Sequence, residues 1–176
     1  MHFLIIDGLI RPSGNTERVL QEHIAALGIP PNSPTRFVLR QSNITHCNGC
    51  GACKGDKPCI IKDDFSKLLG LAKNADYIML ATPVIFGNTS AYVQNALSRF
   101  QSLFNTDYAK LPSLVSSDYE KRPQLGKLKS GIAIITAGGS GGDAKPAETT
   151  CRIFLKMLGV IKPEGMYRYN TDKSEI

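Results

Sequence analysis

A strand–loop–helix alternation that recurs four times along 176 residues constrains the fold of this chain more than any other feature. His2–Ile6 is a short apolar run. Asn15 to Leu27 then sets Val19, Leu20, Ile24 and Leu27 along one helical stripe, which Gly28 ends. Thr35–Leu39 reads as a second strand, and Asp63-Asp64 open a helix carrying Phe65, Leu68, Leu69 and Ala72, an acidic start that suits both capping and the macrodipole. Tyr77–Ala81 is a third strand, stopped by Thr82-Pro83. From about Ser90 a helix follows, striped by Val93, Ala96, Leu97, Phe100 and Phe104. Ile132–Thr136 is a β-branched run that fits a strand covered on both faces. Glu148–Leu158 is helical, and Val160–Tyr169 gives a last edge strand interrupted by Pro163. The pattern predicts an α/β protein with a doubly wound, five-stranded parallel sheet and helices on both faces.

Length and 42% apolar content suit one domain over residues 1–176 with a real core. Residues 105–129, polar and holding Pro112 and Pro123, read as a surface excursion rather than a second domain. No stretch approaches the roughly 20 apolar residues of a membrane span. The N-terminal MHFLIIDG has neither a basic start nor a small-residue cleavage site, so it reads as a buried strand and not a signal peptide. A cytoplasmic protein without a membrane partner is expected. The net charge of +6 comes from 21 basic residues scattered among 15 acidic ones, with no run of three, so nucleic acid is not an expected partner.

In a sheet of this kind ligands sit beyond the carboxyl ends of the strands, where strand order reverses. Three loops fall there. In the first, Arg11, Ser13, Gly14, Asn15 and Thr16 bring a guanidinium, hydroxyls, an amide and backbone N–H groups to a helix start, a cradle for phosphate. It has neither the nucleoside-triphosphate loop pattern nor the paired glycines of the dinucleotide fingerprint, which favours a monophosphate. The second, with Pro83, Val84, Ile85, Phe86 and Gly87, is apolar where solvent is expected and suits the face of a planar ring. The third, with Ala137, Gly138 and Gly139 before Ser140 and Gly141, lets backbone approach a ligand closely.

Between the second strand and second helix, within a loop spanning 43–62, stand Cys47, Cys50, Cys53 and Cys59, spaced C-x2-C-x2-C-x5-C and interleaved with Gly49, Gly51 and Gly55. Three thiolates at two-residue gaps with a fourth nearby approach the spacing that holds an iron–sulfur cluster. A structural zinc site usually sets two C-x2-C knuckles well apart, and a set of reduced thiols is the third alternative. His46 beside the first cysteine reads as a loop histidine. Cys151 lies on an apolar helical face and reads as a buried structural thiol.

Taken in order, GNT after the first strand, the cysteine spacing followed by IIKDDF, then ATPVIFGNTSAYVQNALSRF and a late TAGGSGG resemble the iron–sulfur flavoproteins. These belong to the wider group of flavodoxin-like NAD(P)H-dependent FMN reductases, and the resemblance runs from about Phe3 to Leu158. It implies a 2-1-3-4-5 flavodoxin-like sheet, one FMN and one [4Fe–4S] cluster per chain, and a homo-oligomer, dimer or tetramer. Arg11, Ser13, Asn15 and Thr16 fall on the family's phosphate loop, Pro83 to Gly87 on the loop lining the isoalloxazine, and the four clustered cysteines on the cluster ligands. The chain departs from the family pattern at Gly8-Leu9-Ile10-Arg11, where relatives have Gly-Ser-Pro-Arg, and at Ile85, where they often carry Tyr.

An oxidoreductase follows, in which FMN and cluster exchange electrons, with NAD(P)H as a transient donor and a redox protein or small molecule as acceptor. No acid–base residue is expected, because the hard chemistry belongs to the cofactors. Two rival readings are a cluster-free NAD(P)H-dependent FMN or quinone reductase and a zinc-stabilised, non-catalytic interaction module.

Overall fold

A computed structural model describes residues 1–53, 57–103, 129–139 and 142–171 of the chain. Its strands are β1 (Phe3–Asp7), β2 (Thr35–Val38), β3 (Tyr77–Pro83), β4 (Ser130–Thr136) and β5 (Glu164–Arg168). They form one parallel sheet in the order β2-β1-β3-β4-β5, the expected flavodoxin-like order. The helices are α1 (Asn15–Ala26), α2 (Phe65–Asn74), α3 (Ala91–Arg99) and α4 (Lys145–Met157). The chain moves outward from β1 to β2 and returns across β1 to β3, so strand order reverses between β1 and β3. A crevice opens there at the carboxyl ends.

The inner strands are apolar at nearly every position because both faces are covered, and the two-residue period sorts their side chains between two cores. Leu4, Ile6, Ile78, Leu80, Ala133 and Ile135 face α2, α3 and α4. There Phe100 meets Phe65 and Phe154 edge-on, each pair with ring centroids 5.0 Å apart. Ile5, Met79, Ala81, Ile132 and Ile134 face the α1 stripe of Val19, Leu20 and Ile24. Cys151 lies in the first core, fully buried, and that burial pushes its thiol well above the ordinary range.

Each strand differs from the sequence reading by one or more residues at an end, and β3 and β5 show why. β3 runs on through Thr82 and Pro83 instead of ending at Ala81. Gly8 N donates to Ala81 O at 2.8 Å, and there β1 leaves the sheet, while Val84 N still reaches Thr136 O of β4. Pro83 therefore turns its missing N–H toward the side that β1 has left, where it removes no ladder bond. β5 is shorter than Val160–Tyr169 because Pro163 stands just before it. Val160 makes only an isolated bridge to Lys129. The expected excursion over 105–129, apart from Lys129, lies outside the described residues, as do Phe104, Ser140, Gly141 and Gly55.

Candidate functional site

A cavity of about 320 Å³ opens at the β1/β3 crevice. Arg11, Ser13, Asn15 and Thr16 line it from the first loop, Pro83, Val84 and Ile85 from the end of β3, and Gly138 from beyond β4. Phe86, Gly87, Ala137 and Gly139, expected alongside them, are not on its wall. Leu9, Ile10, Glu17, Thr136 and Thr171 are there in addition. The first hydrogen bond of α1 runs from Arg18 N to Gly14 O, so the amides of Asn15, Thr16 and Glu17 precede the helical ladder at the cavity wall. Gly14, the residue at the N-cap, offers them no side chain. The side chains of Asn15 and Thr16 are engaged elsewhere. Asn15 Nδ2 donates to Thr171 O at 2.9 Å, and Thr16 Oγ1 lies 2.6 Å from Thr136 Oγ1. They tie the ends of β4 and β5 to the loop, which leaves backbone amides, Arg11 and Ser13 as the groups on this wall able to donate to an anion.

Two carboxylates stand close to that cradle and would repel an anion if unpaired. Arg36 of β2 donates to both oxygens of Glu17, with Nη1–Oε1 at 2.9 Å, and its hydrogen bond is the main cause that holds the Glu17 carboxyl below the usual range. Asp7, with its side chain fully buried, accepts from Arg36 Nε and Arg40 Nη1, each at 3.0 Å, and from Leu9 N at 2.8 Å. Two acids and two bases cancel, so Arg11 and the positive end of α1 set the local field. The sequence reading singled out none of Asp7, Glu17, Arg36 and Arg40.

The loop after β3 closes as a small hairpin. Ile85 N donates to Asn88 O at 2.7 Å and Asn88 N returns to Ile85 O at 3.0 Å. Phe86 (φ 46°) and Gly87 (φ 76°) form the tip, the two-positive-φ arrangement of a tight turn. Asn88 Oδ1 accepts from Gln94 Nε2 at 2.8 Å and Thr150 Oγ1 at 3.2 Å, and Gly87 O accepts from Ala147 N. A side chain at Gly87 would meet Asp143 O at 2.9 Å. The hairpin is thus clamped to α3 and α4 and holds Ile85 against the cavity, with Phe86 fully exposed at the tip.

The cysteine loop packs on the far end of α3. Cys47, Cys53 and Cys59 are half-buried, Cys50 is exposed, and none is in a disulfide. Gly49 and Gly51 each take φ 69°, and Gly49 N donates to Cys47 Sγ at 3.4 Å, as the glycine interleaving suggested. Cys47 N donates to Ser98 Oγ at 2.9 Å. Arg99 is almost fully buried and reaches Asp63, Thr45 O, Cys59 Sγ and Ile61 O. Burial alone would raise the Asp63 pKa, yet Arg99 and the amides of Thr45 and Phe65 outweigh it and hold that carboxyl below its ordinary value. His46 is exposed. Among the described residues no three His, Cys, Asp or Glu side chains converge at metal-binding distance.

The model of a family described as NADPH-dependent FMN reductase matches residues 1–168. An iron–sulfur flavoprotein of Methanocaldococcus jannaschii is 35% identical over 104 residues, which is 58% of this chain and 53% of that protein. One from Archaeoglobus fulgidus is 44% identical over 82 residues, 46% of this chain and 38% of the relative. The chain spans about half the length of the curated relatives it matches, or less. Among solved structures, an FMN-dependent NADH-azoreductase from Bacillus anthracis, in complex with FMN, superposes with a TM-score of 0.67 at 13% identity, covering 99% of this chain and 90% of that one. A Trp repressor binding protein from Bacillus subtilis gives 0.59 at 16% identity, covering 95% and 86%. Both likenesses concern the fold. No described helix is long and apolar enough to cross a membrane.

Proposed function

Because the chain belongs to the NADPH-dependent FMN reductase family, we propose that it is a flavin-dependent oxidoreductase that binds FMN in the β1/β3 cavity and exchanges electrons with a four-thiolate iron–sulfur cluster. The observation that carries the reading is the cavity itself. One wall offers Arg11, Ser13 and the uncapped amides of α1, and the other offers the apolar ends Pro83, Val84 and Ile85. A phosphate fits the first, charge-assisted and at a helix N-terminus. A flat ring fits the second. The residues present fit FMN, and the described lining residues do not supply the paired glycines of a dinucleotide fingerprint.

FMN can take two electrons as a hydride and release them one at a time, which links a nicotinamide donor to a one-electron centre. The chain's own part is to bind and orient. The amides before Arg18 hold the phosphate, Arg36 and Arg40 silence the neighbouring carboxylates, and the clamped hairpin fixes the apolar ledge. Phe86, Gly87, Ala137 and Gly139 belong to this proposal as residues that carry or flank the wall. Cys47, Cys50, Cys53 and Cys59 would hold the cluster. All four are free thiols, a soft donor set suited to iron–sulfur, and an N–H and a guanidinium already point at sulfur. A [4Fe–4S] cluster, NAD(P)H as transient donor, a protein or small-molecule acceptor, a homo-oligomer, a single domain and a cytoplasmic site complete the reading.

A cluster-free NAD(P)H-dependent reductase is the second reading. It draws on the absence of converging ligands among the described residues. Anaerobic purification, a visible spectrum, the mass of the released flavin and the ratio of iron to acid-labile sulfide decide between them. FMN with iron and sulfide is the expected result. FMN alone selects the second reading, and FAD or no flavin after reconstitution overturns the cavity assignment.

A further inference from the structure

The last residue of α3, Arg99, is among the largest fully buried side chains of the described residues, a position a guanidinium occupies only when its partners are built for it. Among the described residues, the hydrogen-bond partners of its guanidinium all come from the segment that carries the cysteines. Nη1 donates to Thr45 O at 2.9 Å and to the Asp63 carboxylate, while Nη2 donates to Cys59 Sγ and Ile61 O, both at 3.3 Å. Asp63 in turn accepts from Thr45 N at 3.0 Å and Phe65 N at 3.1 Å. The Arg99–Asp63 pair therefore closes the base of a loop whose ends are Thr45 and Asp63. The face of Phe65 lies against the guanidinium, 4.9 Å from its ring centroid to Cζ, and Nε is buried with no hydrogen-bond partner among the described residues.

Closing a loop needs only one edge of the guanidinium. The other edge is aimed at a sulfur, from inside the protein, where a charge is weakly screened. We propose that Arg99 is a positioning and tuning residue for the thiolate site: it fixes Cys59 and places a permanent positive charge against its sulfur, raising the reduction potential of the group those thiolates hold. The inference rests on the iron–sulfur reading above. A one-electron reduction adds one negative charge to a thiolate-bound centre and breaks no bond. A cation hydrogen-bonded to a ligand sulfur stabilises that extra charge, and such contacts are among the protein's main means of setting potential. Asp63 opposes the effect with the reverse sign, from the other side of the same guanidinium.

That opposition supplies the test. Arg99→Gln, Arg99→Lys and Asp63→Asn are purified anaerobically, assayed for iron and sulfide, and titrated with dithionite while the reduced cluster is followed by electron paramagnetic resonance. Arg99→Gln is expected to lower the reduced-to-oxidised ratio at a fixed poise about tenfold, a fall of about 59 mV for a one-electron couple. Asp63→Asn, which loosens the same loop base but leaves the cation, is expected to raise the potential. Arg99→Lys keeps the charge without the planar fork and should fall between wild type and Gln. If Arg99→Gln does not fold, the opposite shifts of Lys and Asp63→Asn carry the same information. Shifts in one direction for all variants, or none, would mean a merely structural arginine and overturn the inference. A wild-type protein that takes up no iron and sulfide overturns the cluster reading and this inference together. A loaded protein with unresponsive potential overturns this inference alone.

Discussion

Replacing Asp7 by Asn should destabilise the protein by about 3 kcal/mol. Asp7 is fully buried and answers Leu9 N, Arg36 and Arg40 at 2.8–3.0 Å. Taking one partner from a buried ion pair costs about 3–5 kcal/mol, most of it from the charge left behind. Two features favour the lower end. Asn keeps an oxygen for Leu9 N, and Arg36 retains Glu17 as a second acid. The stranded group is Arg40, whose side chain is only 16% exposed and which has no second salt bridge among the described residues, Glu17 acting on it only at longer range. With a urea m-value of about 1–3 kcal/mol/M, the unfolding midpoint of the flavin-free protein should fall by between 1 and 3 M, m itself staying constant. Flavin affinity is a poor readout here, because removing a carboxylate beside the cradle also relieves repulsion of an anion. A loss below about 1 kcal/mol would show that the Asp7 charge is not what holds the two arginines, and a changed m would point to the denatured state instead.

Gly87→Ala puts a side chain on a residue at φ 76° and within 2.9 Å of Asp143 O, so it should cost about 1–3 kcal/mol and lower the melting temperature by roughly 2–4 °C for each of those. Cys50→Ala should lose iron while keeping flavin, whereas Cys151→Ala should keep both and show only a small loss of thermal stability. Equal iron loss in the two would displace the ligand set from the loop. Acid titration should expose Glu17. Its folded pKa is depressed, chiefly by the Arg36 hydrogen bond, so its contribution is present above the ordinary value of 4.5 and lost as pH falls through the folded value. Stability measured from pH 5 down to 3 should drop more steeply in wild type than in Glu17→Gln, and parallel curves would refute the pairing.

The sheet was legible because each inner strand is a short apolar run and each helix carries its own stripe, signals that need only neighbouring residues. That the loops after β1 and β3 line a cavity was legible for a related reason: hydroxyls, amides or apolar side chains sit unusually where a strand ends. What escaped was long-range pairing. Asp7 meets Arg36 and Arg40 only after β1 and β2 come side by side, and nothing local to any of them announces it. The side chains of Asn15 and Thr16 read as phosphate donors, but in the structure they bond Thr171 and Thr136, 156 and 120 residues away, so in the proposed site only their backbone amides take that part. Arg99 left a trace that was overlooked. It stands three residues after Ala96, on the buried stripe of α3, where a charge implies a partner. The end of β3 was misjudged because a proline normally stops a strand, and whether a neighbour stands opposite it is a property of the sheet.

The helix α3 joins the cavity hairpin to the cysteine loop, and its geometry has a genetic consequence. Ser90 at one end is fastened to Gly8 O, while Ser98 and Arg99 at the other are fastened to Cys47 and the loop base. Each residue along a helix turns the next by about 100°. One inserted or deleted residue within Ala91–Arg99 would therefore swing Arg99 off the loop by more than a quarter turn, although no contacting residue had changed. An insertion of three or four would restore the direction but slide the loop along by about 5 Å. The hairpin and the cysteine loop are thus locked in angular phase, and α3 should tolerate substitutions far better than any change of length.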